Sequence, residues 1–475
     1  MPKHLSPDIC IIGAGSGGLS VAAAAAAFGV EVVLVERGRM GGDCLNYGCV
    51  PSKSMIAAGK RAHAMRTAST FGIGAVEPAI DFSAVHAHVR AVIDAIAPND
   101  SVERFKGLGV TIVQAEGRFV DERTLAAGET LITARRFVIA TGSSPVIPPI
   151  PGINTVEALT NETIFDLAER PEHLVIIGGG PIGLELAQAH RRLGARVSVV
   201  EAQACLSRED PQLAAIALDT LREEGIALHD HHSVTRVERT ESGLRLFAKP
   251  ASGEEIAIEG SHLLVATGRA PNIASLSLDA AKMRFDKKGV AVDSGLRSSN
   301  RRIYAIGDVA GGPQFTHVAN YHAGIVIRAL LFRLPGKVDY SALPRATFLD
   351  PELVQIGLTE GQAREAHGNV RTLTWPVHEN DRAQAERETK GLIKLMADRR
   401  GRVVGVSILA KGASEMGNFW SLALSQKVRL RDLTGFVSPY PTVGEIGKRA
   451  AVSYFGEMAR KPLIRRIVRL LRVFG

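Results

Sequence analysis

The sequence predicts an α/β fold built on a duplicated strand–turn–helix–strand unit. Residues 8–36 read DICIIGAGSGGLSVAAAAAAFGVEVVLVE, and residues 173–201 read HLVIIGGGPIGLELAQAHRRLGARVSVVE. Each runs from an apolar strand through a glycine turn into a helix, then a short connection, a second apolar strand and a glutamate. The spacing is shared: Gly13 to Glu36 and Gly178 to Glu201 are both 23 residues apart. A chain of 475 residues exceeds one ordinary domain, so about three are expected.

The glycines say what the unit does. Gly13, Gly15 and Gly18 spell GxGxxG, as do Gly178, Gly180 and Gly183. The first makes a tight turn, the second lets a pyrophosphate lie against the backbone, and the third lets helix pack on strand. The phosphates then meet free N–H groups at a helix N-terminus. The glutamate closing the second strand, Glu36 or Glu201, accepts from ribose hydroxyls. Two such Rossmann-like units imply two dinucleotides. After Glu201 come Ala202 and Gln203, with no arginine before Arg208. An acid there repels a 2′-phosphate, so NAD(H) is expected over NADP(H).

Composition excludes several classes. Hydrophobic content of 45% and charged content of 22% are those of a globular protein with large cores. Four cysteines (Cys10, Cys44, Cys49 and Cys205) make no secreted disulfide framework, and a cytoplasmic setting is expected. The apolar run 9–28 is broken by Gly13, Gly15, Gly17 and Gly18, which suits a buried strand and helix better than a signal peptide. No apolar run reaches transmembrane length. Net charge is +8, and six of those charges lie in residues 459–475. The basicity is local, so no nucleic-acid partner is expected.

Chemistry concentrates in GGDCLNYGCVPSKS, residues 41–54. Four residues separate Cys44 from Cys49, and a helix is expected from about Ser52. A thiol near a helix N-terminus, with Lys53 close by, has a lowered pKa, and thiolate is the reactive form. The alternatives are inert buried thiols or a zinc site, but zinc needs two further ligands and none stands nearby in sequence. No metal site is assigned.

These residues resemble the active-site signature of the pyridine nucleotide-disulfide oxidoreductases, a family that includes dihydrolipoamide dehydrogenase, glutathione reductase and mercuric reductase. The resemblance continues through ATGSSP (140–145), ATGRAPN (266–272), YAIGDVAGGPQFTHVA (304–319) and GLIKLMADRRGRVVGVSILAKGASE (391–415). It implies two Rossmann-like domains, for FAD and NAD, plus a C-terminal α+β dimerisation domain. The expected ranges are 1–148 and 273–342 for the FAD domain, 149–272 for the NAD(P) domain, 343–458 for the dimerisation domain and 459–475 for a basic amphipathic tail.

By the same resemblance, FAD is held by Gly13, Gly15, Gly18, Glu36, Gly42, Lys53, Gly117, Thr141, Gly142 and Asp308. The nicotinamide nucleotide is held by Gly178, Gly180, Gly183, Glu201, Gly268 and Arg269. Cys49 faces the flavin, Cys44 is the interchange thiol, and Lys53 pairs with Glu185. The active site is shared across a homodimer, with Tyr440 and Glu445 coming from the partner.

One departure matters. The family's disulfide reductases carry His-Pro-x-x-x-Glu, whereas SPYPTVGEIGKRAA (438–451) puts Tyr440 in the histidine position and keeps Glu445. Tyrosine titrates near 10 and is a poor base at neutral pH. Mercuric reductase is similar in having tyrosine here, but no cysteine follows Cys205 to deliver a metal. The expected activity is FAD-dependent NAD(P)H oxidation, with the Cys44–Cys49 pair reducing a disulfide, a metal ion or another small acceptor. The alternatives are dihydrolipoamide dehydrogenase, a mercuric or other metal-ion reductase, and a membrane-docked flavoprotein passing electrons to a quinone or membrane partner. The last rests on residues 462–474, PLIRRIVRLLRVF, where Ile464, Ile467, Val468 and Leu471 share a helical face and arginines flank it. The segment is read either as a membrane-surface helix at the inner face of the membrane or as a helix docked on its own protein. The run His229, Asp230, His231 and His232 is read as a solvated turn between a helix and a strand.

Overall fold

The computed structural model describes residues 3–474; residues 1 and 2 of the first expected domain and residue 475 of the basic tail lie outside the described residues. The run Ile9–Ile12 is buried throughout, as befits a parallel strand covered on both faces. It sits at the centre of a five-stranded parallel sheet, in the order Ile303–Ala305, Arg136–Ile139, Ile9–Ile12, Val32–Glu36, Thr111–Gln114. The helix Ser16–Ala27 follows the central strand and packs on the helix Thr316–Phe332. The run from 9 to 26 is thus a strand and helix packed into the core, and Phe28 just beyond it is exposed.

The second copy repeats this arrangement. Its parallel sheet runs Ala158–Leu159, His262–Val265, His173–Ile177, Arg196–Val200, Ala227–His229, with the helix Pro181–Arg192 after the central strand. The match extends to single hydrogen bonds. Gly13 N–H donates to Val35 O at 2.8 Å and Gly178 N–H to Val200 O at 2.9 Å. Ala140 N–H donates to Ile12 O and Ala266 N–H to Ile177 O, both at 2.8 Å. The chain enters this unit after Ser143–Pro145 and leaves it through Arg269–Pro271, two strands that pair antiparallel as a ribbon.

Residues beyond 343 form an antiparallel sheet ordered Pro344–Thr347, Glu352–Gly357, Val403–Ala410, Leu392–Ala397, Arg371–Pro376. The helices Ala413–Ser425 and Glu445–Ala459 cover one face around Trp420 and Ile446. This is an α+β domain.

Buried ion pairs tie the units together. Arg192, on the helix Pro181–Arg192, pairs at 2.7 Å with both Glu224 and Asp350. Lys394, in the third domain's sheet, donates to Asp210 at 2.9 and 3.0 Å and reaches Glu360 at 3.3 Å. Asp210 is also the cap of the helix Pro211–Glu223. Lys394→Met should therefore cost roughly 3–5 kcal/mol in denaturant-melt stability, because it strands the buried Asp210 carboxylate. A loss under about 1 kcal/mol would show that the pair is dispensable.

Two local expectations are corrected. The helix expected from Ser52 begins at Cys49, and Cys44 lies on its own short helix, Gly42–Asn46. The His229–His232 turn joins two strands, with no helix before it, and it is no bare solvated turn: Asp230 accepts from Cys205 N–H and from Arg222.

Candidate active site

The two glycine turns separate what the fold needs from what a ligand needs. A Cβ on Gly13 would stand 2.4 Å from Ala140 O, and one on Gly178 2.4 Å from Ala266 O; both residues have positive φ. A Cβ on Gly18 would stand 1.9 Å from Gly13 O, and one on Gly183 2.0 Å from Gly178 O. The chain itself demands glycine at these four positions. The middle glycines differ. Gly15 and Gly180 have extended backbone angles open to any residue. A Cβ on Gly15 would meet nothing closer than 4.0 Å, and one on Gly180 nothing within 4 Å. Packing does not require glycine there, whereas a ligand lying against the backbone does.

The two glutamates are equivalent as well. Glu36 accepts from Ala14 N–H at 2.6 Å and Gly38 N–H at 2.7 Å. Glu201 accepts from Gly179 N–H at 2.7 Å and Gln203 N–H at 2.8 Å. Each carboxylate is aimed at its turn and keeps lone pairs for ribose hydroxyls. A groove at the first turn is lined by Gly13, Glu36, Gly117 and Thr141. Gly42 closes over Gly15, and a Cβ on it would stand 2.7 Å from Gly15 Cα. Gly142, at φ +66°, lies beside a reciprocal clasp in which Thr141 Oγ1 donates to Asn272 O and Asn272 Nδ2 donates to Thr141 O. These residues fit the adenosine and pyrophosphate of a dinucleotide.

Cys44 and Cys49 meet side by side as thiols. The Cys44 S–H donates to Cys49, which holds Cys49 down to about 6; Thr316 and the Lys53 charge act the same way against burial. Cys44 is pushed up by that bond and by burial. At neutral pH the pair is thus one thiolate and one thiol, with the thiolate at the first residue of the helix Cys49–Thr67. Thr316 Oγ1 lies 3.4 Å from Cys49 Sγ. Cys49 also opens into a cleft of about 420 Å³ between two helices, lined by Val50, Lys53 and Ala57 on one side and His88, Val92 and Ile96 on the other. The other two cysteines are buried, and burial pushes both thiols up out of reactive range.

Lys53 and Glu185 are no surface pair. Lys53 Nζ donates to Glu185 Oε2 at 2.7 Å, and the carboxylate is 7% exposed. Glu185 Oε1 accepts from Phe348 N–H at 2.9 Å, and Lys53 lies over the Phe348 ring at 4.3 Å. One ion pair thus joins all three domains beside the cysteines.

Arg269, expected to help hold the nicotinamide nucleotide, is also engaged within the protein. Its guanidinium donates to Ser143 Oγ and O at 2.8 and 2.6 Å, reaches Asn161 Oδ1 at 3.1 Å, and pairs with Asp43 at 3.1 Å. Ser143 Oγ in turn donates to Asp308 Oδ2 at 2.6 Å, and burial raises the Asp308 carboxyl. The arginine therefore braces the inter-domain ribbon against the cysteine loop, and the neighbouring Gly268 sits in open space at φ +141°. Tyr440 is 66% exposed and donates to Asp381 at 2.7 Å; Glu445 pairs with Arg449 at 3.0 Å. The Asp381 carboxylate raises the tyrosine pKa further. Both contacts lie within the third domain.

Sequence reasoning passed over Asp43, Ser143, Asn161 and Thr316. Three of them lie in quoted motifs, whose pattern gave no role to the polar residue beside the named one. Asn161 had no signal at all, since its contacts with Arg269 and Asp43 span 108 and 118 residues.

Residues 7–323 match the model of the pyridine nucleotide-disulphide oxidoreductase family, and residues 343–451 match that family's dimerisation domain. The chain belongs to this family. It is an FAD-dependent NAD(P)H oxidoreductase. Among relatives, mercuric reductase of Streptomyces lividans is 36% identical over 468 residues, covering 97% of this chain and 98% of the relative. Dihydrolipoyl dehydrogenase of Geobacillus stearothermophilus is 34% identical over 456 residues, covering 94% and 96%. The solved Cu(II) complex of the HOCl-induced flavoprotein disulfide reductase RclA from Escherichia coli superposes with a TM-score of 0.84. Its identity is 27%, over 95% of this chain and 100% of that one. No helix among the described residues is long and apolar enough to cross a membrane.

Proposed function

We propose that this oxidoreductase draws electrons from NADH and reduces a thiophilic metal ion at Cys44 and Cys49. The observation that carries this reading is the thiolate–thiol pair whose Cys49 opens into a cleft, set against a Tyr440 that Asp381 keeps protonated. A thiolate is a soft metal ligand, while a protonated tyrosine cannot serve as the base of disulfide exchange. The mercuric reductase relatives and the Cu(II) complex of RclA support the same choice.

Bound FAD supplies the two-electron link between nicotinamide and the cysteine pair. The protein's own groups do the rest. Gly13, Gly15, Gly18, Gly42, Glu36, Gly117, Thr141, Gly142 and Asp308 hold FAD. Gly178, Gly180, Gly183, Gly268 and Glu201 hold the nicotinamide nucleotide, with the Glu201 carboxylate disfavouring a 2′-phosphate. Lys53, oriented by Glu185, keeps a positive charge beside Cys49. Two electrons leave the thiolate–thiol pair as its sulfurs join, and the one remaining thiol proton departs. That reduces one Hg(II) to the metal or two Cu(II) to Cu(I). A homodimer places Tyr440 and Glu445 of each chain at the other's cysteines.

The second reading, lipoyl disulfide exchange, is favoured by the dihydrolipoyl dehydrogenase relatives. Steady-state assays with NADH and NADPH against Cu(II), Hg(II), lipoamide and glutathione disulfide separate the two. Metal-dependent NADH oxidation is expected to exceed lipoamide turnover, and Tyr440→His should raise the latter. Robust lipoamide reduction by the unaltered enzyme would sink the metal reading.

A further inference from the structure

The basic segment after residue 459 has no part in the site described above. It forms the helix Pro462–Leu471, begun by a proline at its first position. At about 100° per residue, Leu463, Ile464, Ile467, Val468, Leu470 and Leu471 fill one arc of roughly 160°. Arg465, Arg466 and Arg469 fill the opposite arc. The apolar arc is open: Leu463, Leu470 and Leu471 are 66%, 63% and 61% exposed, and Phe474 is 82% exposed just beyond. Ile464 alone is half-buried. Among the described residues, none of the six cations Arg460, Lys461, Arg465, Arg466, Arg469 and Arg472 has a carboxylate partner.

A helix of ten residues is marginal in water by itself, and one with five bare apolar side chains on its arc is more so. Something covers it. We infer that residues 459–474 form an in-plane anchor for an anionic lipid surface, with the apolar arc among the acyl chains and the cations at the headgroups.

The charge pattern selects this occupant. An anionic membrane takes both faces at once. Nucleic acid would engage the arginines and leave the apolar arc wet. A second copy of the helix would bring six more cations and no acid against the first six. The matched dimerisation domain ends at residue 451, before the helix begins.

Vesicle co-sedimentation of the FAD-loaded enzyme tests this. The full chain should bind vesicles of phosphatidylglycerol and phosphatidylcholine, and phosphatidylcholine alone only weakly. Leu470→Glu with Leu471→Glu should cut partitioning at least about tenfold. Replacing Arg465, Arg466, Arg469 and Arg472 by Gln should do likewise, and raised salt should weaken the binding of the unaltered chain. NADH oxidation should be unchanged in both variants, which shows that they are folded. Equal partitioning of all three proteins overturns the inference, as does a Leu470/Leu471 variant that loses its dimer mass. So does binding to duplex DNA that survives the glutamate substitutions and competes with the vesicles.

Discussion

Cys44→Ser should lower acceptor reduction on the order of 10³-fold or more, because no second sulfur remains to close the disulfide. Flavin bleaching by NADH in a stopped-flow half-reaction should persist, since the substitution leaves the second glycine turn, the proposed nucleotide site, untouched. The serine hydroxyl can still donate to Cys49, so the thiolate stays low in pKa. Cys44→Ala removes that donor. Alkylation of Cys49 in the reduced enzyme should rise through pH about 6 in the unaltered protein and in Cys44→Ser. In Cys44→Ala it should rise at clearly higher pH, because the strongest influence lowering the pKa is gone. Full acceptor turnover by Cys44→Ser would mean that electrons bypass the pair.

The second large effect contrasts neighbouring glycines. Gly183→Ala puts a Cβ 2.0 Å from a backbone oxygen and should destabilise the fold by about 3 kcal/mol or more. Gly180→Ala meets no protein atom within 4 Å and should leave the melting temperature nearly unchanged. It should nonetheless raise the KM for NADH about 10–100-fold, by holding the pyrophosphate off the helix N-terminus. Thermal melts and NADH titrations on the two variants give the answer. A Gly180→Ala enzyme with normal KM would remove the second dinucleotide from this turn.

The parts that repeat in sequence were the most legible. Strand, glycine turn and glutamate are local, so their hydrogen bonds recur at 2.6–2.9 Å in both units. The helix start at Cys49 was less legible, since proline and glycine neighbours obscure the boundary by a few residues. The contacts of Arg269 within the protein were not legible, because a motif position does not say which way a side chain turns. Its partners Asp43, Ser143 and Asn161 come from three distant stretches, and only the closed ribbon brings them together.

By itself the sequence determined the two dinucleotide units, the family and the identity of the reactive pair, because each depends on residues within one short segment. The sequence already pointed to Cys49 as the charged thiol, and the tertiary structure chose what holds the charge there. That choice rests on a hydrogen bond, a threonine 267 residues away and a lysine pinned by Glu185 from another domain. It also decided that Tyr440 is held as an acid by Asp381, 59 residues away in the chain. Electrostatic control falls off within a few ångströms, so it is set by which groups the fold places next to one another.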